Sequence, residues 1–188
     1  MTSTNCRTLA LMGLLSGLAA PLSAHATFCQ FYSENFDDGT ATDATTGIYQ
    51  VRWCDTYIPL SSNTPSTLCS QTTGRTLRTN SSTQDPTIWV SRGNQFCTHV
   101  RIRYNYYQYA YADTGLQYLT SNDTSAVCEK SGIFSAVASH SVTQACGTQE
   151  QIIPFNGYNG VYIRLEHGST SNAIWIDNLT LELDGCSC

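Results

Sequence analysis

The chain has 188 residues, a formal net charge of −5, and charged side chains at only 12% of its positions. The sequence has no basic stripe, and this excludes the usual pattern of a nucleic-acid-binding protein. A low density of charge, combined with many Ser, Thr, Asn and Gln residues, is typical of secreted β-proteins with a polar, neutral surface.

The N-terminal segment predicts a secretory signal peptide over residues 1–26. Arg7 supplies a positive charge, Leu9–Ala20 is apolar, and the sequence AHA at residues 24–26 has the small-x-small pattern of a cleavage site. The apolar stretch is too short to anchor the chain across a bilayer. The alternative, a buried N-terminal helix, has nothing helical after it on which to pack. We therefore expect a secreted or periplasmic protein in which residues 27–188 form one domain.

The mature chain has no segment with sustained helical periodicity. Short runs with a period of two recur between clusters of Gly, Asn, Asp, Ser and Pro. About ten strands without crossover helices predict an all-β fold, an antiparallel β-sandwich of jelly-roll type. The predicted strands cover residues 28–37, 48–58, 75–80, 87–92, 98–111, 115–121, 132–138, 150–154, 159–167 and 173–184.

The cysteines predict disulfide bonds. Eight remain once Cys6 leaves with the signal peptide, and an even number in a secreted chain favours a disulfide-stabilised fold. Zinc is the rival interpretation, but the sequence has no CxxC pair and no suitably spaced pair of histidines. The pairs that we favour are Cys54–Cys69, Cys128–Cys146, Cys29 with Cys186 or Cys188, and Cys97 with the remaining one of those two.

The last predicted strand has an acidic residue among apolar ones. Trp175 has the same parity as the three leucines between residues 179 and 183, and it is therefore predicted to lie in the core. Asp177 interrupts this apolar face. Either the register shifts at a bulge after Ile176, or the carboxylate is paired or binds a cation.

The ends of the mature chain resemble a known family. The chain opens with CQFYSENFDDGT from Cys29 and closes with AIWIDNLTLELDGC at Cys186. Together with GRTLRTNSSTQDPTIWVSR over residues 74–92, these segments resemble the MAM domain and related secreted concanavalin-like jelly rolls, over most of residues 28–188. The resemblance implies an adhesion or recognition module in which the first and last strands lie side by side.

The resemblance also implies a structural calcium ion, because many such sandwiches bind one where the first and last strands meet. The implied ligands are Asp37, Asp38 and Asp177, with Glu34 as a further candidate. Hard oxygen donors suit calcium, and clustered carboxylates repel each other unless a cation lies between them. The alternative is that Asp38 and Gly39 form a simple turn and that Asp177 accepts hydrogen bonds from backbone amides at a strand edge.

The sequence carries no strong catalytic motif. It lacks the Gly-x-Ser-x-Gly turn of a nucleophilic serine. Glu166 and His167 are adjacent on a predicted strand, so they point to opposite faces. His99 begins a strand and is expected to be a polar edge residue. Glycosidases need two carboxylates across the scissile bond, and no predicted strand has the spacing typical of concanavalin-like glycosidases.

A tyrosine-rich strand supplies the predicted ligand-binding face. One face begins with Val100, Ile102 and Tyr104 and should point into the core, whereas the other mixes arginine, asparagine and three tyrosines. Aromatic rings stack on sugar rings, and guanidinium and amide groups bind hydroxyls and carboxylates. The alternative is an ordinary sheet surface, since tyrosine is a common strand former. The candidate ligand-binding residues are Arg101, Arg103, Asn105, Tyr107, Tyr109, Tyr111 and Trp89, the last of which is expected to reach the concave sheet.

The sequence therefore predicts a secreted, non-catalytic recognition module that binds an extracellular glycan through this aromatic face. The alternative is a structural or adhesive protein that contacts a cell-surface protein through the same face, because protein interfaces also favour Tyr and Arg. A glycoside hydrolase or lyase is the third hypothesis.

Overall fold

A computed structural model of the chain describes residues 27–46, 49–54, 60–61, 74–79, 85–93, 96–108, 114–122, 133–139, 146–167 and 174–185. These residues form twelve β-strands, and no helix occurs among them. The strands are β1 (Cys29–Glu34), β2 (Ala44–Thr46), β3 (Tyr49–Trp53), β4 (Leu60–Ser61), β5 (Thr76–Thr79), β6 (Thr87–Ser91), β7 (His99–Gln108), β8 (Thr114–Ser121), β9 (Ser135–Ser139), β10 (Cys146–Pro154), β11 (Gly160–His167) and β12 (Ile174–Leu183).

The strands pair antiparallel in two six-stranded sheets. The first sheet has the order β10-β7-β12-β5-β4, and β1 also pairs with β12. The second sheet has the order β2-β3-β6-β11-β8-β9. One edge of β12 pairs with β5 along its first part and with β1 along its second part. The predicted antiparallel β-sandwich, with its first and last strands side by side, is confirmed.

The hydrophobic core lies between the two sheets and is built from alternate residues of their strands. Val100, Ile102 and Tyr104 of β7 are fully buried, as are Val161 and Ile163 of β11 in the other sheet. Burial of an aliphatic side chain stabilises a fold by about 1.5–3 kcal/mol. The predicted core face of the tyrosine-rich strand is therefore confirmed.

β12 changes its inward-facing parity at an irregularity. Its pairing with β7 shifts register between Asp177 and Thr180, and Asn178 has a φ of 50°. The isoleucines of β12 are buried before the shift, and its leucines are buried after it. The register shift supports the bulge alternative, although it falls after Asp177, and the structure corrects the prediction that Trp175 lies in the core. Because the parity changes, Trp175 points away from the core.

A buried polar network connects the two sheets near the end of β1. The Tyr32 hydroxyl accepts a hydrogen bond from Trp53 Nε1 at 2.9 Å and lies 2.9 Å from the Thr42 carbonyl oxygen. The Glu34 carboxylate accepts hydrogen bonds of 3.0 Å from the backbone amides of Phe36 and Thr42. Burial raises the pKa of Tyr32 well above its ordinary value. These contacts satisfy polar groups whose unpaired burial would be costly.

A second polar cluster ties the end of β12 to the start of β7. Asp184 is 4% exposed, and its Oδ1 accepts hydrogen bonds from the backbone amides of Thr98 and His99 at 2.6 and 2.7 Å. Its Oδ2 accepts one from the Thr98 hydroxyl at 2.5 Å and lies 2.9 Å from His99 Nδ1. Burial acts to raise the pKa of Asp184, but the hydrogen bonds outweigh it and the pKa is lowered. The His99 side chain is 42% exposed at the start of β7, which fits the prediction of a polar surface residue.

The cysteines agree with the predictions only in part. Cys29, Cys54 and Cys146 are in disulfide bonds. The predicted disulfide of Cys97 with Cys186 or Cys188 is corrected. The Cys97 sulfur lies outside any disulfide bond, and the buried side chain packs in the core cluster as a small hydrophobic group. The connectivity stays a prediction, since four cysteines lie outside the described residues, namely Cys69, Cys128, Cys186 and Cys188.

The predicted signal peptide at residues 1–26 also lies outside the described residues. In the part of the chain that the structure describes, no helix is long and apolar enough to cross a membrane.

Candidate functional site

The predicted ligand-binding residues of β7 share the face of the first sheet that points away from the core. They alternate with the buried residues of β7, and each lies directly opposite a residue of β10 on one side and of β12 on the other. We call this surface the outer face. It comprises Arg78, Arg101, Arg103, Asn105, Tyr107, Cys146, Thr148, Glu150, Ile152, Trp175, Asp177, Thr180 and Glu182.

At one end of the outer face, two arginines and two glutamates form a group of matched charges. The Arg101 guanidinium binds Glu182 Oε2, with Nε at 2.6 Å, and lies 3.7 Å from Glu150. Arg103 Nε lies 3.9 Å from the same glutamate. The ring of Phe28 lies beneath this group, with its centroid 4.5 Å from the guanidinium carbon of Arg101. Both arginines predicted for the site are therefore held by cross-strand ion pairs.

At the other end of the outer face, four side chains form a row across four strands. Arg78 on β5 lies opposite Trp175 on β12, Trp175 lies opposite Tyr107 on β7, and Tyr107 lies opposite Cys146 on β10. We call these four residues the Trp175 row. The ring centroids of Trp175 and Tyr107 are 5.3 Å apart, and the Arg78 guanidinium carbon lies 5.5 Å from the centre of the Trp175 ring. Tyr107 is 3% exposed whereas Trp175 is partly exposed, so the indole is the aromatic surface that meets solvent.

A polar pair lies next to the Trp175 row. The Thr148 hydroxyl donates a hydrogen bond of 3.0 Å to the Asn105 side-chain oxygen across β10 and β7. Asn105 precedes Tyr107 by two residues, so it is the next residue of β7 on the same face. An amide and a hydroxyl beside an aromatic ring are the groups that bind sugar hydroxyls.

Trp89 does not lie on the outer face. It belongs to β6 in the second sheet, where its ring lies 4.7 Å from that of Tyr162 and only 1% of the residue is exposed. The indole lies over Gly160 so closely that any side chain there would collide with it. With Phe134 packed alongside, Trp89 belongs to a separate hydrophobic cluster of the second sheet. Its position therefore does not support the predicted ligand-binding role. Tyr109 and Tyr111 lie outside the described residues.

Among the outer-face residues that the sequence interpretation did not assign, three contribute to the candidate site, namely Trp175, Arg78 and Thr148. The signal that places Trp175 outside is the irregularity after Asp177, which reverses the parity of β12. No local pattern identifies Arg78 or Thr148, because their positions beside Trp175 and Asn105 depend on the order of strands in the sheet.

Two of the acidic candidates, Asp37 and Asp38, stabilise the turn that follows β1. Asp37 Oδ1 accepts a hydrogen bond from the Arg75 amide at 3.1 Å. Asp38 Oδ1 accepts hydrogen bonds from the amide and the hydroxyl of Thr40, both at 2.8 Å, and these lower the pKa of Asp38. The backbone also turns here, since Gly39 has a φ of 81°. The turn interpretation of Asp38 and Gly39 is therefore supported.

Asp177 is placed differently, in the irregular part of β12. It is 1% exposed, and its Oδ1 accepts a hydrogen bond from the Asn178 amide at 2.7 Å. Among the described residues, no group of three or more His, Cys, Asp or Glu side chains is placed to hold a metal ion. A calcium ion near Asp177 would therefore need backbone carbonyls or water as its further ligands.

The polar clusters do not form a catalytic arrangement. The Thr98 hydroxyl and the Asp184 carboxylate both lie within 2.9 Å of the same ring nitrogen of His99, whereas a catalytic relay uses the two ring nitrogens separately. Glu150 and Glu182 both face Arg101, so these two carboxylates serve ion pairs.

Comparison with known proteins identifies the fold. No protein-family model and no curated protein matches the chain. Among solved structures, the CBM22-1 xylan-binding domain of Xyn10C from Paenibacillus barcinonensis matches at 15% identity with a TM-score of 0.56, over 87% of this chain and 100% of that chain. The tandem CBM22-1-CBM22-2 domain of the same protein matches at 14% identity with a TM-score of 0.56, over 88% of this chain and 49% of that chain. These likenesses show a β-sandwich fold of the jelly-roll type, and MAM membership stays a prediction.

Proposed function

We propose that the protein is an extracytoplasmic, non-catalytic recognition module that binds a glycan on the outer face of its first sheet. The observation that carries the proposal is the Trp175 row, in which a partly exposed indole lies between Arg78 and the buried ring of Tyr107. The fold supports it, since a xylan-binding domain has a similar β-sandwich. The predicted signal peptide supports an extracytoplasmic location.

The Trp175 row suits sugar binding for a physical reason. An indole that is restrained on both sides loses little conformational freedom when a ligand packs on it, so more of the contact energy remains as affinity. The apolar face of a pyranose ring can lie on the indole, while its hydroxyls reach the amide of Asn105 and the hydroxyl of Thr148. The matched charges around Arg101 keep the neighbouring sheet surface fixed.

Contact with a cell-surface protein through the same face is the second candidate function. The observation that favours it is Ile152, which is 49% exposed and lies opposite Arg101 on the outer face. An exposed aliphatic side chain beside an arginine is common in protein interfaces. A glycoside hydrolase or lyase has no comparable support, because Glu150 and Glu182 are engaged with Arg101.

Structural calcium near Asp177 is a separate proposal. Its support is the resemblance to concanavalin-like jelly rolls, which implies a calcium ion where the first and last strands meet, and Asp177 precedes by two residues the first residue of β12 that pairs with β1.

The test of the proposed function is binding of the exported mature protein to a panel of neutral and acidic polysaccharides, measured by affinity electrophoresis. Retardation by at least one polysaccharide supports glycan recognition. No retardation by any member of the panel contradicts it and favours the protein-contact function.

A further inference from the structure

Arg78 differs from the other two arginines of the outer face. Arg101 and Arg103 have glutamate oxygens within 4 Å, whereas no ion pair of Arg78 occurs among the described residues. Arg78 Nε is buried, with no hydrogen-bond partner in that part of the chain. Since a guanidinium is always protonated in proteins, a positive charge that has no carboxylate partner among the described residues lies beside the Trp175 ring.

We propose that the outer face selects acidic glycans, with the carboxylate of a uronic acid on the Arg78 guanidinium and the pyranose ring on the Trp175 indole. The inference rests on the proposed function and specifies its ligand class. The planar guanidinium matches a carboxylate in two parallel hydrogen bonds, which a neutral sugar cannot accept in the same way. The adjacent indole shields these bonds from water on one side and so strengthens them.

The net charge of the whole protein cannot explain a preference for acidic glycans, so the proposed selectivity must come from the binding site itself. With a net charge of −5, the chain as a whole repels a polyanion. The matched charges around Arg101 add little attraction at their end of the outer face. A preference for carboxylated polymers would therefore have to come from one particular group, and among the described residues of this face that group is Arg78.

The experiment compares three uronic-acid polymers, polygalacturonate, alginate and glucuronoxylan, each with its own carboxyl-reduced form. The proteins are the wild type, Arg78→Gln, Arg78→Lys and the control Arg52→Gln. Arg52 lies on β3 in the second sheet with an exposed side chain, so its substitution changes the net charge equally at a distant place. Affinities are measured by isothermal titration calorimetry at low and at moderate salt, after circular dichroism has confirmed the fold of each variant.

We expect the wild type to bind at least one uronic-acid polymer about tenfold or more tightly than its reduced form. Arg78→Gln should abolish this difference while Arg52→Gln preserves it, and Arg78→Lys should retain only part of it because a lysine lacks the planar fork.

Three results would overturn the inference. Equal binding of the carboxylated and reduced polymers would do so and would leave the proposed function standing. If Arg78→Gln and Arg52→Gln lost the preference for carboxylated over reduced polymers to the same extent, total charge, and not Arg78, would set that preference. No binding of any of the six polymers would overturn this inference, and the polysaccharide panel would then show whether the proposed function fails with it.

Discussion

Trp175 and Tyr107 lie directly opposite each other on β12 and β7, with ring centroids 5.3 Å apart, and they differ in their exposure to solvent. Tyr107 is covered, while part of the Trp175 surface stays open. Tyr107 thus supports the indole on one side, as Arg78 does on the other. Because Tyr107 is buried, its removal would disturb the sheet, and Trp175 is the residue whose substitution tests binding separately from folding.

Asp184→Asn is expected to lower the free energy of unfolding at neutral pH by about 1–3 kcal/mol, because the charged carboxylate accepts hydrogen bonds that an amide cannot all replace. The pKa of Asp184 is lowered in the folded protein from its ordinary 3.8. The contribution of the Asp184 carboxylate to the free energy of unfolding is therefore fully present above pH 3.8, and it is lost as the pH falls through the lower pKa of the folded protein.

The measurement for Asp184 is urea unfolding of the wild type and the variant at several pH values between neutral and strongly acidic. The difference between the two proteins should narrow as the pH falls. Asp38→Asn is the comparison, because that carboxylate also has a lowered pKa but is exposed, so its loss should matter less. A difference that stays constant with pH would contradict the account.

Tyr32→Phe is expected to lower the free energy of unfolding by about 1–3 kcal/mol. The substitution removes the oxygen that accepts the hydrogen bond of Trp53 Nε1 and leaves a buried donor without this partner. Urea unfolding followed by tryptophan fluorescence measures the effect. The matched control is Tyr158→Phe, since Tyr158 is 40% exposed and its hydroxyl loss should cost less than about 0.5 kcal/mol. Equal stability of the two variants would show that the buried network contributes little.

Peptide mapping without reductant is expected to find Cys54 joined to Cys69, and Cys146 joined to Cys128. It should also find Cys29 joined to a cysteine just after β12, because Cys29 lies opposite Leu183 in the sheet. Replacing both Cys54 and Cys69 by serine should lower the free energy of unfolding by roughly 3 kcal/mol, the value for a loop of about 15 residues. A crosslink from Cys54 to any other cysteine would refute the predicted pairing.

If calcium is bound near Asp177, EDTA should lower the melting temperature of the pure protein, because a ligand that binds only the folded state stabilises it. Asp177→Asn should remove this response to EDTA. Asp38→Asn should leave it intact, because Asp38 is engaged in its own turn. Differential scanning calorimetry with and without added calcium measures all three proteins. An unchanged melting temperature of the wild type in EDTA would rule out the calcium proposal.

The sequence was informative where the alternation of residues within a single strand is enough to show which face is buried. Val100, Ile102 and Tyr104 alternate with polar residues, and the structure buries them as predicted. Alternation did not predict the start of β10. The strand begins at Cys146, four residues before its predicted start, and its first residues show no alternation of apolar and polar side chains. This is the polar sequence expected at the edge of a sheet.

The candidate site was harder to predict because it depends on contacts between distant parts of the chain. Local alternation showed that Trp89 lies on the opposite face of its strand from Ile88 and Val90, but it could not show that β6 belongs to the other sheet. Trp175 was misplaced for a different reason, since an irregularity after Asp177 reversed the parity of β12. Strand order and register carry this information, and single-strand patterns do not.

The most direct test of glycan recognition by the outer face is calorimetric titration of a polysaccharide that retards the wild type, carried out with the wild type, Trp175→Ala and the control Tyr158→Ala. Tyr158 is an exposed aromatic residue in the turn between β10 and β11, outside the outer face. An aromatic residue at the centre of an interface typically contributes about 2 kcal/mol, so Trp175→Ala should weaken binding tenfold or more while Tyr158→Ala binds as the wild type does. Wild-type affinity in a folded Trp175→Ala protein would contradict the account and place the binding site elsewhere.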